Sequence, residues 1–367
     1  MQVVLSGYYG FGNVGDEAIL KSIVQGLRER DPGIEILVLS AFPKITREQY
    51  QVHAVHRYSW FEVLGAVLKG DIFVSGGGTL FQNATSRRSF IYYIGLVLLA
   101  KLLRKRVMIF AQGFGPLRGR LFQGLAKLVL NRVDLITLRD KGAYEEVKRI
   151  GIKRPPVYVT GDSTAILKIP AEGDGKKILS LEGIKKGSRP LAGIALRSLP
   201  GKKAARLYET LAGLIDWIAE KHGFLPVFVL FQCAEDMQEA SKVIGLMKHN
   251  SSVIFRVCTP DEMLSIISQF DFLIGMRLHS LIFAAMGAVP MLGLSYDPKV
   301  EAFMRSIGQP CLKLDPAVSF EDMKDTLEPV LCDLKKVKAG LAAKAQELRR
   351  QAEMNFDLFF EHFKGSL

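Results

Sequence analysis

Residues 270–299 place a short apolar run, Phe270 to Ile274, directly before Gly275-Met-Arg-Leu-His-Ser280. Such a run, bounded by glycine, reads as a buried strand. Residues 278–286 are apolar and small enough for a packed helix ending near Gly287. A second strand, Val289 to Leu292, then leads to Tyr296-Asp-Pro-Lys299. In open α/β sheets ligands bind outside the carboxyl ends of the strands. Two consecutive strands therefore deliver Arg277, His279, Ser280 and Lys299 to one rim. A helix N-terminus beside Arg277 adds N–H donors and a positive dipole end. The expectation is an anion site containing a titratable group.

The same alternation runs through the chain. Strands are expected at Gln2–Ser6, Glu35–Leu39, Ile72–Ser75, Val107–Ala111 and Leu135–Leu138, with helices near 16–30, 119–131 and 141–150. Residues 169–190 are rich in Gly, Pro and Lys and lack periodicity, so a domain boundary is expected there. Alternation resumes with a strand from Leu191 to Arg197 and a helix over 204–222. A strand at Leu225–Phe231, a helix at 234–248, a strand near Ser252–Phe255 and a helix at 260–269 follow. Residues 319–363 read as charged helix returning towards the first domain. The expected layout is 1–168, a linker at 169–190, a second domain at 191–338, and a C-terminal helix at 339–367. With 367 residues, two domains are the default.

Gly10-Phe-Gly-Asn-Val-Gly15 matches G-x-G-x-x-G between a strand and a helix. A dinucleotide reading is disfavoured, because the second strand ends in Ser40-Ala41 rather than an acid. Asp16 and Glu17 would also repel a pyrophosphate. Capping the helix and hydrogen-bonding a sugar suit them better. Gly76-Gly-Gly78 allows close approach to the backbone, and Asn83, Thr85, Arg87 and Arg88 stand at the same rim. Arg139 again closes a strand, although an Arg139-Asp140 pair alone is commonly a structural salt bridge.

The net charge of +12 is uneven. Residues 1–160 hold 23 Lys and Arg against 12 Asp and Glu, a surplus of 11, whereas the remainder is nearly neutral. The basic half suits a polyanion, an anionic membrane surface or a phosphate-bearing substrate. No nucleic-acid module is recognisable. Residues 89–103 are apolar almost all round between Arg87-Arg88 and Arg104-Lys-Arg106. That is shorter than the ~20 residues needed to span a bilayer, so a buried helix with ends able to meet headgroups is expected. The four cysteines are scattered without a C-x-x-C pair, which argues against zinc and disulfides. No secretory signal is read at the N-terminus, and a cytoplasmic location is expected.

Gly10-Phe-Gly-Asn-Val-Gly-Asp-Glu17, Gly76-Gly-Gly78, Gly275-Met-Arg-Leu-His279 and Tyr296-Asp-Pro-Lys299 resemble polysaccharide pyruvyl transferases of the CsaB type. The resemblance implies a GT-B-like α/β fold of two Rossmann-like parallel-sheet domains facing across a cleft, with C-terminal helices bridging back. It implies pyruvyl transfer from phosphoenolpyruvate to a sugar, giving a cyclic ketal and phosphate without a further cofactor or metal. The implied acceptor is N-acetylmannosamine of a lipid-diphosphate-linked secondary cell-wall polymer precursor, whose ketal anchors S-layer-type proteins. The enzyme would then sit peripherally at the inner face of the membrane, and oligomerisation is compatible with the sequence.

Arg197, Arg277, Ser280, Lys299 and Arg139 are assigned to phosphoenolpyruvate, which as a small trianion suits bidentate arginines. His279 is assigned as the acid that protonates the methylene carbon. Gly12, Asn13, Asp16, Glu17, Gly77, Gly78, Arg87 and Arg88 are assigned to the acceptor. The family pattern has Asp after the second glycine loop where this chain has Asn83, which places the general base in doubt. One rival is a nucleotide-sugar glycosyltransferase on the same fold, with Glu301 on the ribose. Another is a non-enzymatic polyanion-binding or membrane-binding protein, for which His279 is dispensable.

Overall fold

A computed structural model describes residues 1–363 apart from Thr85, Lys186, Ser188, 199–203 and 315–317, and the backbone alone of Glu172 and Ala204. Thr85 and part of the expected linker thus lie outside the described residues. The chain divides into two units, Met1–Leu167 with Leu348–Leu367, and Lys168–Glu347.

The first unit alternates β1 (Gln2–Ser6), α1 (Val14–Arg30), β2 (Glu35–Ser40), α2 (Pro43–Tyr50), β3 (His53–His56), α3 (Trp60–Lys69) and β4 (Ile72–Gly76). It continues with α4 (Arg87–Leu102), β5 (Arg106–Gln112), α5 (Arg120–Leu130), β6 (Leu135–Leu138), α6 (Lys141–Ile150) and β7 (Val157–Val159). Its sheet runs β3-β2-β1-β4-β5-β6-β7, with parallel pairing beginning at Gln2↔Glu35 and Val3↔Ile72. Strands covered on both faces need unbroken apolar runs, and Val3, Val4 and Leu5 are essentially inaccessible to solvent. One face carries α3, α4, α5 and α6 over a single core. On α1, Asn13 is the N-cap and accepts from the N–H groups of Gly15 (3.0 Å) and Asp16 (3.4 Å), while Arg28 and Arg30 close the last turn.

The second unit contains α7 (Glu172–Leu181), β8 (Leu191–Ala195), α8 (Ala204–Lys221), β9 (Leu225–Phe228), α9 (Cys233–Ile244), β10 (Ser252–Val253) and α10 (Pro260–Ile267). Then come β11 (Phe272–Gly275), α11 (Leu278–Met286), β12 (Met291–Ser295), α12 (Pro298–Ile307), β13 (Cys311–Lys313), α13 (Phe320–Cys332) and α14 (Leu334–Phe363). Its sheet order is β10-β9-β8-β11-β12-β13. α14 starts in the second unit, and its residues from Leu348 onward belong to the first. There Phe356, Phe359 and Phe363 are fully buried, with Phe356 5.1 Å from the Phe110 ring.

The expected linker contains a helix, α7. Gly173 and Gly175 weaken its intrinsic helix propensity, which hides it in the sequence, yet Leu179 is fully buried. Gly175 is also where α7 meets α10, since a Cβ there would lie 2.4 Å from the Ser265 carbonyl oxygen.

Gly77 has φ +61°, and a Cβ added to it would lie 2.1 Å from Ile19 Cγ2. Gly77→Ala combines backbone strain with overpacking and is expected to cost about 2–4 kcal/mol. A denaturant midpoint unchanged from that of the parent would contradict this seating of the loop against α1.

Candidate functional site

In both sheets the chain reverses its direction of winding between the first and fourth strands of the unit, β1/β4 and β8/β11. The crevice outside the carboxyl ends at such a switch point is where ligands bind in doubly wound folds. The sequence places its most chemically distinctive residues at these two points.

In the second unit Gly275 of β11 pairs with Ala195 of β8 and with Gly293 of β12. Arg197 and Arg277 therefore lie two residues beyond neighbouring strand ends, and Tyr296 follows the end of β12. Arg197 reaches Tyr296: Nη1 donates to the phenol oxygen, and the guanidinium carbon sits 4.3 Å from the ring centroid. Arg277 donates through Nη2 to Asp236 Oδ1. The other oxygen of Asp236 accepts from the N–H groups of Phe231 (2.9 Å) and Gln232 (3.0 Å). Asp236 is 1% exposed, so it is a fixed anchor that aims Arg277. Sequence reasoning missed it, because an acid in the first turn of a helix reads only as a dipole partner. The Nε–H groups of both Arg197 and Arg277 are buried without an acceptor among the described residues. An unsatisfied buried donor costs about 1–3 kcal/mol, so each guanidinium keeps donor capacity that the described residues do not use.

His279 is the second residue of α11 and is half-buried. Arg277 is the N-cap of that helix and no side chain caps it, so the helix end adds to the positive field. Ser280 departs from the expectation of a ligand contact. Its hydroxyl is fully buried and donates to the Arg277 carbonyl (2.6 Å), which fixes the first turn of α11. Lys299 is paired locally, with Nζ 3.2 Å from Asp297. Glu301, the ribose ligand of the glycosyltransferase reading, accepts the Ser295 hydroxyl at 3.0 Å.

At the switch point of the first unit, Glu17 is not offered to solvent. Its carboxylate accepts from the Gly10 N–H (2.7 Å) and the Tyr50 hydroxyl (3.1 Å), and burial pushes its pKa up. It braces the glycine loop rather than meeting a sugar. Gly10 itself has φ +81°, and a Cβ there would lie 2.2 Å from Ser40 Oγ. The loop is thus packed against the end of β2, where a dinucleotide ribose would need room. Asp16 is half-exposed, with Oδ1 3.4 Å from the position a Cβ on Gly78 would take. Asp16 of α1 and the Gly77-Gly78 loop after β4 therefore lie side by side. Arg57, unnoticed in the sequence, braces the same loop by donating to the Gly7 carbonyl (2.7 Å) and the Tyr93 hydroxyl (3.0 Å).

Arg139 belongs to the first unit and is already neutralised. Its guanidinium lies 3.1 Å from Asp162 and 3.6 Å from Asp140, with the side chain 7% exposed. The expected phosphoenolpyruvate contact gives way to a structural ion pair, because carboxylates on both sides hold the charge.

Asn83 lines a cavity of 480 Å³ with Ala84, Arg87, Arg118, Gly119 and Phe122, at the N-terminal ends of α4 and α5. Its carboxamide makes a reciprocal pair with the Arg118 peptide: Nδ2 donates to the carbonyl (2.7 Å) and Oδ1 accepts from the N–H (2.8 Å). A carboxylate cannot do both. Asn83 therefore hydrogen-bonds both backbone groups of Arg118 in this wall, a role its carboxamide fills and an Asp would not. Arg87 sits 5.9 Å over the Phe122 ring, whereas Arg88 is exposed outside the cavity lining.

A sequence profile for Polysaccharide pyruvyl transferase matches residues 13–298, spanning both sets of strand-end residues. The chain belongs to the polysaccharide pyruvyl transferase family. It is an enzyme that transfers pyruvyl groups to polysaccharide. Among its relatives is the amylovoran biosynthesis protein AmsJ of Erwinia amylovora, 21% identical over 86% of this chain and 88% of that protein. Among solved structures, Anabaena Alr3699/HepE in complex with UDP and glucose superposes with a TM-score of 0.67 at 12% identity, covering 100% of both chains. The UDP-GlcNAc 2-epimerase of Neisseria meningitidis gives 0.66 at 11% identity over 98% of this chain and 100% of that one. These likenesses establish the GT-B-like fold of this pyruvyl transferase.

Two substitutions test the site. Asp236→Ala strands Arg277 as an unpaired buried cation and is expected to cost about 3–5 kcal/mol. It should also raise the KM for the donor, and an unaltered melting temperature together with unaltered donor affinity would remove Asp236 from the site. Asn83→Asp turns a donor into a carboxylate facing the Arg118 carbonyl and is expected to cost about 1–3 kcal/mol. Turnover should fall or stay level, and a strong rise would restore position 83 as the place for a base.

Proposed function

We propose that this pyruvyl transferase takes its pyruvyl group from phosphoenolpyruvate and joins it to two hydroxyls of one sugar as a cyclic ketal, releasing phosphate. The buried, acceptor-less Nε–H groups of Arg197 and Arg277 carry the donor assignment. Two arginines at adjacent strand ends suit a compact ligand bearing both a phosphate and a carboxylate. Lys299 supplies a further cation at the same edge, shared with Asp297.

His279 protonates the methylene carbon, which leaves an oxocarbenium-like centre. One sugar hydroxyl adds to that centre, the bond to the phosphate oxygen breaks against the arginines, and the second hydroxyl closes the ring. Of the two hydroxyl protons, one restores His279 and thus balances the proton now on the methyl carbon. The other leaves with phosphate.

The acceptor of this reading is an amino sugar, N-acetylmannosamine, on a lipid-diphosphate-linked secondary cell-wall polymer precursor, as in the CsaB type. The product then anchors S-layer-type proteins. The cavity with Arg87 and Arg118 at two helix ends suits a diphosphate. In this reading the enzyme works at the inner face of the cell membrane. AmsJ, by its name a protein of amylovoran biosynthesis, makes an amylovoran precursor the comparison acceptor.

Phosphate release from phosphoenolpyruvate with an aryl-diphosphate disaccharide carrying N-acetylmannosamine tests the reading. His279→Gln should lower kcat by about 10²–10⁴-fold with the melting temperature unchanged. Equal turnover in the variant, or activity with a UDP-sugar in place of phosphoenolpyruvate, would sink it.

A further inference from the structure

From Ile72 to Val133 the chain contains ten Lys and Arg and no Asp or Glu. This stretch supplies α4 and α5, which lie with α3 on one face of the first sheet. The three helices are neighbours: the Tyr58 ring, just before α3, lies 5.9 Å from Tyr92, Lys105 donates to the Leu68 carbonyl at 2.8 Å, and Phe90 is 5.6 Å from Phe122.

Their inner residues form the core, but their outer stripes are also apolar. On α4, Ile91 is 49% and Leu102 72% exposed, at helical spacing with Gly95 and Leu98 between them. On α5, Leu121 is 78% and Leu128 54% exposed. On α3, Trp60, Phe61 and Leu68 are 58%, 86% and 52% exposed. A helix covered on one side ordinarily turns polar residues to water, and an apolar surface repeated over three adjacent helices marks an interaction site. Exposed cations, among them Arg88, Arg104, Arg120 and Lys127, stand between and beside these stripes.

We propose that the α3–α4–α5 face docks on an anionic lipid bilayer. The leucines, Ile91, Phe61 and Trp60 enter the boundary between headgroups and acyl chains, while the arginines snorkel to lipid phosphates. Charge selects this occupant: a second copy would bring the same strongly basic face, whose α4 and α5 carry no acid and whose α3 carries Glu62, against itself, whereas a negative leaflet attracts basic side chains. No helix among the described residues is long and apolar enough to cross a membrane, so the face lies on the surface. This inference stands on the surface alone and is independent of the acceptor assignment.

Co-sedimentation with phosphatidylglycerol–phosphatidylcholine vesicles containing no sugar acceptor tests it, with phosphatidylcholine vesicles as the comparison. The parent protein should bind the anionic vesicles preferentially. Phe61→Ser/Leu102→Ser/Leu128→Ser and, separately, Arg104→Glu/Lys127→Glu should each weaken binding by about tenfold or more. Both variants change exposed positions, so their melting temperatures and their turnover with a water-soluble acceptor should match the parent. In a Trp217→Phe background, Trp60 emission should shift to the blue on anionic vesicles. Absence of parent binding, or binding unchanged by the serine variant, overturns the proposal. So does a dimer that the serine variant dissociates without any vesicle binding, which would give the face to a second copy.

Discussion

The ion pair between Asp236 and Arg277 sets the geometry of the strand-end cluster in the second unit. Asp236 is held by two backbone N–H groups from the turn between β9 and α9, so its position is fixed by the sheet and not by a ligand. Arg277 is consequently aimed before any substrate arrives. Tyr296 performs the same service for Arg197 from the end of β12. A site that develops and releases phosphate charge gains most when its dipoles and cations need no rearrangement during the reaction. Carrying the anchor on a neighbouring element also leaves each guanidinium an Nε–H without an acceptor among the described residues.

The two switch points share a topology and differ in chemistry. In the second unit the strand ends carry arginines, a histidine and a tyrosine. In the first they carry glycines, Asn13 and two carboxylates, one buried as a brace and one half-exposed. The first half of the chain nevertheless holds nearly all the surplus positive charge. That charge lies mostly away from its switch point, on α4, α5 and the loops beside them. A crevice lined by backbone and a carboxylate suits hydroxyls, while the basic surface suits phosphates. The uneven net charge therefore reports a surface, not a catalytic centre.

The alternation of strands and helices was legible because a parallel sheet covered on both faces demands apolar runs such as Val107–Ala111. The strand-end residues were legible with it, since topology alone sends them to the rim. Three edge-side strands escaped notice. His53–His56, Val157–Val159 and Cys311–Lys313 are short and partly exposed, so nothing selects a strong apolar signature. α7 was hidden by its glycines. Asp236 was hidden by distance, as its partner lies 41 positions away and no local pattern joins an acid on α9 to a strand end. Ser280 and Arg139 were misjudged for a related reason. Sequence places a polar group at a rim but does not show whether a neighbouring backbone or carboxylate has already engaged it.

Asn83 illustrates how proton balance can settle what a motif comparison leaves uneasy. The proposed ketal formation from phosphoenolpyruvate would consume two hydroxyl protons overall: one replaces the proton given to the methylene carbon, and the other departs on phosphate. The protein ends each cycle with no proton gained or lost, so it needs relays and not a permanent acceptor. In the proposed reaction His279 serves as such a relay. The leaving phosphate is itself a base in the same reaction. A carboxylate at position 83 is then not a chemical requirement, whereas a carboxamide there satisfies both peptide groups of Arg118. The residue that looks like a lost base is the one that keeps the cavity wall hydrogen-bonded.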